Sequence, residues 1–219
     1  MTSRRVLNVG SGPPGLSRLH PVFRDPSWRA VRLDIDPGVA PDIVGDMADL
    51  RALVPDMSFD AVWSSHNLEH LPAHRVGAAL GEWRRVLAPT GFALLTCPDV
   101  EAVARLVLDK GLDATAYESP AGPITARDML WGHGASIAGG HGFMAHRTGF
   151  TAESLGEAAL AAGFAEIRVA RRHFALWALC LMPRAVLGVI ETLFETAGEG
   201  ALFSAPDDEA TPDPAWAAP

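Results

Sequence analysis

Short apolar runs alternate with turn-rich or helix-length stretches over the first 100 residues. Arg5–Val9 reads as a strand that ends at Gly10-Ser11-Gly12, and Trp28–Ile35 as a second, closed by Asp36-Pro37-Gly38. Asp42–Val44 is a brief third, Phe59–Trp63 a fourth, and Gly91–Cys97 a fifth that Pro98 stops. Strands separated by helix-length connections predict βαβ units and a parallel sheet.

The helical period is clearest over Leu71–Leu87. There Val76, Leu80, Trp83 and Leu87 share one face, with Pro72 in the first turn. Val100–Leu108 carries Val100, Val103, Ala104 and Val107 on a second such face. Residues 112–150 lack periodicity and are rich in glycine, which predicts a lid or acceptor-binding loop. Thr151–Gly163 returns to a helix, with Thr151 as its cap, Glu153 and Glu157 toward its N-terminal end and Gly163 as its stop. Ala165–His173 and Ala175–Met182 read as two closing strands. The second is continuously apolar around Trp177, as suits a strand buried within a sheet. Arg184–Thr196 is an amphipathic helix whose Val186, Leu187, Ile190, Leu193 and Phe194 either dock on the domain or form a dimer seam. Ser204–Pro219 is acidic and rich in Pro and Ala, the composition of a mobile tail. The division is then a main domain over 1–182 and an appendage over 183–219.

Composition narrows the class. With 219 residues and 48% apolar content the chain can bury a core of its own. A net charge of −8 lacks the basic footprint of a general nucleic-acid binder. Cys97 and Cys180 both sit in apolar runs, so a disulfide scaffold is excluded and buried thiols are expected. The N-terminus has no apolar signal stretch, and the most apolar segment, Phe174–Met182, is far short of the roughly 20 residues of a membrane span. The cytoplasm is the expected compartment.

The sharpest local feature is Gly10-Ser11-Gly12-Pro13-Pro14-Gly15 after the first strand, a literal G-x-G-x-x-G. A glycine turn lets backbone N–H groups approach a ligand closely. Asp34 follows at the end of the next strand, where a carboxylate accepts hydrogen bonds from ribose hydroxyls. Together they point to an adenosine-bearing cofactor, NAD(P) or S-adenosylmethionine. A dinucleotide needs a long helix opening behind the glycines, aimed at the pyrophosphate. Pro13, Pro14 and Pro21 make any helix there short or distorted, and S-adenosylmethionine has no pyrophosphate.

Beyond this turn the chain resembles the class I S-adenosylmethionine-dependent methyltransferases, in particular the small "type 11" members. Val6–Gly12 is similar to their first motif, Leu33–Pro37 to the acidic second, Asp42–Leu50 to the third and Phe59–Leu71 to the fourth. Glu82–Gly91 resembles the turn before their fifth strand. His146–Thr151 and Ala162-Gly163-Phe164 resemble a late pattern, so the likeness runs over residues 5–182. It implies an α/β Rossmann-like methyltransferase fold, with a seven-stranded, mostly parallel sheet ending in an antiparallel hairpin. It further implies that Gly10, Ser11 and Gly12 line the methionine part of the cofactor and Asp34 holds the ribose. Ile35 would pack on the adenine, and Asp46, with Met47 beside it, would face the adenine amino group. Ser64, Ser65 and His66 would lie beneath the cofactor. Asn8, Pro13-Pro14 and Pro89-Thr90-Gly91 depart from the family pattern.

The implied reaction is methyl transfer to an oxygen or nitrogen of a small-molecule or saccharide-like acceptor. An acceptor that must lose a proton needs a base, and histidine suits that near neutral pH. The candidates are His66, His70 and His146; the alternative for each is a structural histidine bonded to loop backbone. Glu69 and Asp99 are weaker candidates, and Glu69 reads rather as a charge at a helix start. His133, His141 and His146 are spaced by eight and five residues in a glycine-rich stretch, which is no metal spacing; solvated loop histidines and no metal are expected. Two other readings remain at this level, an NAD-dependent oxidoreductase using the G-x-G-x-x-G turn and a non-catalytic binding module on the same fold.

Overall fold

The computed structural model describes residues 3–15, 19–119 and 122–203. Nine strands are described, β1 (Arg4–Val9), β2 (Trp28–Asp34), β3 (Ile43–Val44), β4 (Phe59–Ser65), β5 (Leu87–Pro98), β6 (Thr115–Ser119), β7 (Gly122–Thr125), β8 (Glu166–Arg172) and β9 (Ala175–Leu181). Seven of them form one sheet in the order β3-β2-β1-β4-β5-β9-β8. The first five strands pair in parallel, while β9 runs antiparallel to both β5 and β8. The Rossmann-like sheet with an antiparallel closing hairpin is therefore the observed fold. The order reverses at β1, beside β4, and open α/β sheets take ligands at the carboxyl ends of the strands at such a point.

Two layers cover the sheet. On one face α1 (Ala73–Val86) presents Val76, Ala79, Leu80, Trp83 and Val86, and α5 (Ala152–Ala161) adds Leu155 and Ala159. On the other face lie Trp63, Trp177, Phe92 and the 3-10 turn Pro21–Phe23, which is the only helical element among the described residues between β1 and β2. There α6 (Leu187–Thr196) buries Ile190 and Phe194, so this helix docks on the domain, while Val186 and Val189 stay exposed. Every residue of β9 is buried, and so are Cys97 and Cys180, both as free thiols. The acidic tail Ser204–Pro219 lies outside the described residues.

Residues 112–150 are more ordered than their sequence suggests. They hold the β6–β7 hairpin, α3 (Ala126–Trp131), α4 (Gly134–Ala138) and a 3-10 turn at Gly142–Met144. Thr125 and Asp128 form a reciprocal capping box at the start of α3. Tyr117, Ile124, Ala126 and Met129 close a small third core with Val103 and Leu106 of α2 (Val100–Lys110). Elements of four to six residues are too short to show a period, so packing against α2 reveals what the pattern hides. Among the described residues no helix is long and apolar enough to cross a membrane.

Candidate functional site

A cavity of about 810 Å³ opens at the carboxyl ends of β1, β2 and β4, between the sheet and the 112–150 cap. Its size falls in the usual range for small-molecule sites, roughly 300–1,000 Å³. Gly10, Ser11, Gly12, Asp34, Ile35, Asp46, Met47, Ser65, His66, His70 and His146 all line it, so the structure brings eleven of the sequence-derived site residues to one wall. Ser64 is the exception: it is fully buried outside that wall, because alternation along β4 turns its side chain to the opposite face from Ser65. Asp99 is also away from the wall, where it caps α2 through the Glu101 N–H and stands 3.5 Å from Arg171.

The glycine turn and the acid are fastened to each other. The Gly12 N–H donates to Asp34 Oδ2 at 2.8 Å, and the Asp36 N–H donates to Asp34 Oδ1 at 3.0 Å. Each carboxylate oxygen still has a lone pair for a hydroxyl. Arg32 braces the same turn, donating to the carbonyls of Gly12 (2.8 Å), Val39 (2.7 Å) and Ala40 (2.8 Å). Gly10 and Gly12 have φ of +65° and +58°, left-handed values that favour glycine. A Cβ on Gly10 would land on the Asn67 amide, whose nitrogen lies 3.5 Å from Met47 Sδ. Ile35 leaves 45% of its surface exposed at the cavity, an apolar side chain with nothing yet packed on it. Asp46 is engaged, accepting from Arg75 at 2.6 Å and from the Ala48 N–H at 2.9 Å. Arg32 and Arg75 lie outside the motifs and Asn67 is given no role within the fourth; only the folded turn shows what they touch.

The fourth motif ends in a buried polar cluster. His66 sits at φ +47°, a left-handed value of the kind that costs roughly 1–3 kcal/mol in a non-glycine residue and collects at functional sites. Its Nε2 is 3.5 Å from Thr96 Oγ1, a lining residue, and its Nδ1 is 3.4 Å from Glu69 Oε1, behind the wall. Burial, then the neighbouring His146 and His70, holds the His66 ring well below its ordinary pKa and so neutral. His70 bridges two backbone carbonyls, Nδ1 to Ala145 O at 3.2 Å and Nε2 to His66 O at 3.1 Å. His146 donates from Nδ1 to Met129 O at 2.9 Å, and burial lowers its pKa to about 4. The backbone N–H groups of Arg147 and Thr148 both donate to Glu69 O, so the late segment is tied to the end of β4.

Two expectations change here. Glu69 is no solvated helix-start charge: it is 1% exposed, and burial pushes its carboxyl up to about 8. His146 is no solvated loop histidine either, since the cap folds over it and leaves its side chain 8% exposed. His133 bonds Ser136 Oγ at 2.7 Å, and His141 is exposed.

The wall fits S-adenosylmethionine better than a dinucleotide. It offers an acid with spare acceptor capacity, an apolar side chain for the base and a glycine cradle, while no α-helix opens behind the glycines among the described residues to receive a pyrophosphate. Comparison with known proteins agrees. Residues 7–95 match the family model described as a methyltransferase domain. No curated protein matches the chain. Among solved structures the chain is similar to the PH0226 protein of Pyrococcus horikoshii, with 16% identity, coverage of 83% of this chain and 84% of that one, and a TM-score of 0.53. It is also similar to a chain of the complex between the Haloferax volcanii Trm112 methyltransferase activator and a putative methyltransferase, with 17% identity, 83% of each chain covered and a TM-score of 0.51. A third is the 1,6-didemethyltoxoflavin-N1-methyltransferase of Burkholderia thailandensis, solved with bound 1,6-didemethyltoxoflavin and S-adenosylhomocysteine, at 15% identity, 81% and 70% coverage and a TM-score of 0.51. At these identities the structural likenesses speak for the fold, and the domain match speaks for residues 7–95. What the chain carries at residues 7–95, on this sheet, is thus a match to the methyltransferase domain.

Proposed function

We propose that the chain transfers the methyl group of S-adenosylmethionine to an oxygen or nitrogen of a small-molecule or saccharide-like acceptor, in the cytoplasm, with residues 1–182 as the catalytic unit. The observation that carries this reading is His66: it lines the same cavity as the glycine turn, one strand away, and Asp34, two strands away. The bound cofactor supplies an electrophilic methyl group on a sulfonium. Asp34 accepts from the ribose hydroxyls. Gly10, Ser11 and Gly12 leave room for the amino-acid end, Ile35 covers the base, and Asp46, Met47 and Ser65 shape the rest of the pocket.

His66 takes the acceptor proton. A neutral imidazole can accept a proton near pH 7, and burial keeps this one neutral. Its unusual backbone angle and the bond from its own N–H to Thr96 O, 2.9 Å, fix where the ring points. His146 and His70 complete the histidine wall and hold the cap segment over the acceptor end. Much of the rate then comes from positioning, with the nucleophile held about 3–3.5 Å from the methyl carbon.

The test has two stages. Calorimetry with S-adenosylhomocysteine and with NADH decides the cofactor, and heat from NADH alone would favour the oxidoreductase reading. No heat from either would favour a non-catalytic module. Transfer of labelled methyl groups to fractionated extracts then finds the acceptor. His66→Ala is expected to lower turnover by about 10²–10⁴-fold with little change in cofactor affinity. Wild-type turnover in that variant would remove His66 as the base.

A further inference from the structure

Behind the histidine wall lies an arrangement that methyl transfer does not account for. Glu69 is 1% exposed, and neither of its carboxyl oxygens completes a hydrogen bond, although the backbone N–H groups of Asn67 and Glu69 face it. A buried carboxyl that completes no hydrogen bond, its nearest imidazole being His66 with Nδ1 at 3.4 Å, is costly, about 1–3 kcal/mol or more, and so asks for an explanation. Around it stand imidazoles. His146 Nε2 is 4.0 Å from Glu69 Oε1, and His70 completes a set whose donor atoms all lie within 4.8 Å of one another. Among the described residues no other group of three or more His, Cys, Asp or Glu side chains is so placed.

We propose that Glu69, His70 and His146 bind one divalent transition-metal ion of the zinc or cobalt class, with its remaining position open to the cavity.

Three features of the geometry support this. First, 4.0 Å is too long for a hydrogen bond but near the separation of two atoms that share a metal. Zinc–nitrogen and zinc–oxygen bonds of about 2.0–2.2 Å at tetrahedral angles put neighbouring ligands roughly 3.3–3.5 Å apart. The donors stand somewhat wider, so capture of the ion draws them inward. Second, His146 already has the outer bond of a metal-ligating histidine: its Nδ1–H donates to Met129 O at 2.9 Å, which leaves the Nε2 lone pair facing Glu69. Third, His70 has carbonyl oxygens at both nitrogens, at 3.2 and 3.1 Å. A neutral ring has one N–H, so one of those contacts sets a lone pair against a carbonyl oxygen. A metal would relieve that contact by taking the lone pair, with the facing carbonyl turned aside as the ion is captured.

Two histidines and one glutamate are the donor set of open, three-ligand zinc sites. Carboxylate and imidazole donors without thiolate suit zinc or cobalt over copper(I). Both histidines line the cavity, so a coordinated ion would present its free position to the acceptor end. It would also join the end of β4 to the 144–148 segment, which the Glu69 carbonyl already holds.

The experiment needs no acceptor. Chelator-treated full-length protein is titrated with Co²⁺ and followed by visible d–d absorption, with Zn²⁺ competition to displace it. One equivalent is expected to bind with low-coordinate bands. Glu69→Gln and His146→Ala should each weaken binding at least tenfold, while His133→Ala, on the same cavity wall but outside the set, should not. If the variants fold poorly by near-ultraviolet circular dichroism, X-ray absorption on the zinc-loaded wild type decides. Two imidazoles and one carboxylate in the inner shell support the site. Absence of stoichiometric uptake overturns the proposal. So does uptake that survives Glu69→Gln and disappears in His133→Ala. An S-adenosylhomocysteine titration on the same metal-free sample tests the methyltransferase reading separately.

Discussion

Asp34→Ala removes the one carboxylate that both fastens the glycine turn and faces the cofactor cavity. The structure gives it two tasks. It accepts from the Gly12 N–H at 2.8 Å and from the Asp36 N–H at 3.0 Å, and it keeps spare lone pairs toward the cavity. A hydrogen bond to a charged group contributes roughly 1.5–3 kcal/mol. At about 1.4 kcal/mol per tenfold, loss of the ribose contact alone should weaken S-adenosylhomocysteine about 10- to 150-fold. Loosening of Gly12 adds to this, so the upper half of that range is expected. Asp34→Asn separates the two tasks, since it keeps a carbonyl for Gly12 and loses the charge; it should fall between Ala and wild type. Asp36→Ala is the control, because Asp36 Oδ1 accepts only the Gly38 N–H at 2.7 Å. Isothermal titration calorimetry reads the affinities, with thermal melting to confirm a folded protein. An Asp34→Ala variant that melts like wild type and binds within threefold of it would refute the ribose assignment.

Gly10→Val should abolish S-adenosylhomocysteine binding in calorimetry with little change in the circular dichroism spectrum, because φ is +65° and the new side chain would sit on Asn67 at the mouth of the turn; near-normal binding would make the turn purely structural. His20 is buried, its pKa lowered to about 3 first by burial and then by Arg24, so the unfolded chain binds a proton there that the fold excludes. Stability from this group is full above about pH 6.5 and is lost as pH falls toward 3. His146 acts with the same sign, its pKa being about 4. Glu69, raised to about 8, acts with the opposite sign, so the comparison of proteins is the readout: from pH 7 to pH 4 the melting temperature should fall more, or rise less, in wild type than in His20→Phe, which keeps a ring among Phe23, Trp63, Trp177 and Phe194. An unchanged slope would show that His20 is protonated at no cost.

The strands of the sheet, the two long amphipathic helices and the Gly10–Asp34 pairing were legible along the chain. Each depends on local physics: a period of 2 or 3.6, a turn that tolerates positive φ, an acid at a strand end. The same holds for the buried cysteines and for β9, whose unbroken apolar run has no other place to go. The cap over 112–150 was not legible, because its elements of four to six residues take their stability from Val103 and Leu106 of α2. The buried cluster was even less so. Glu69 and His70 are neighbours in sequence, but His146 lies 76 residues beyond His70, and what brings it to Glu69 is the pair of backbone bonds that Arg147 and Thr148 make to the Glu69 carbonyl. Whether a carboxyl is solvated or sealed, and so whether it is a surface charge or a ligand, depends on what the rest of the chain lays over it. Only the tertiary structure decides that, because burial is a property of the packed whole and not of the residue or its neighbours in sequence.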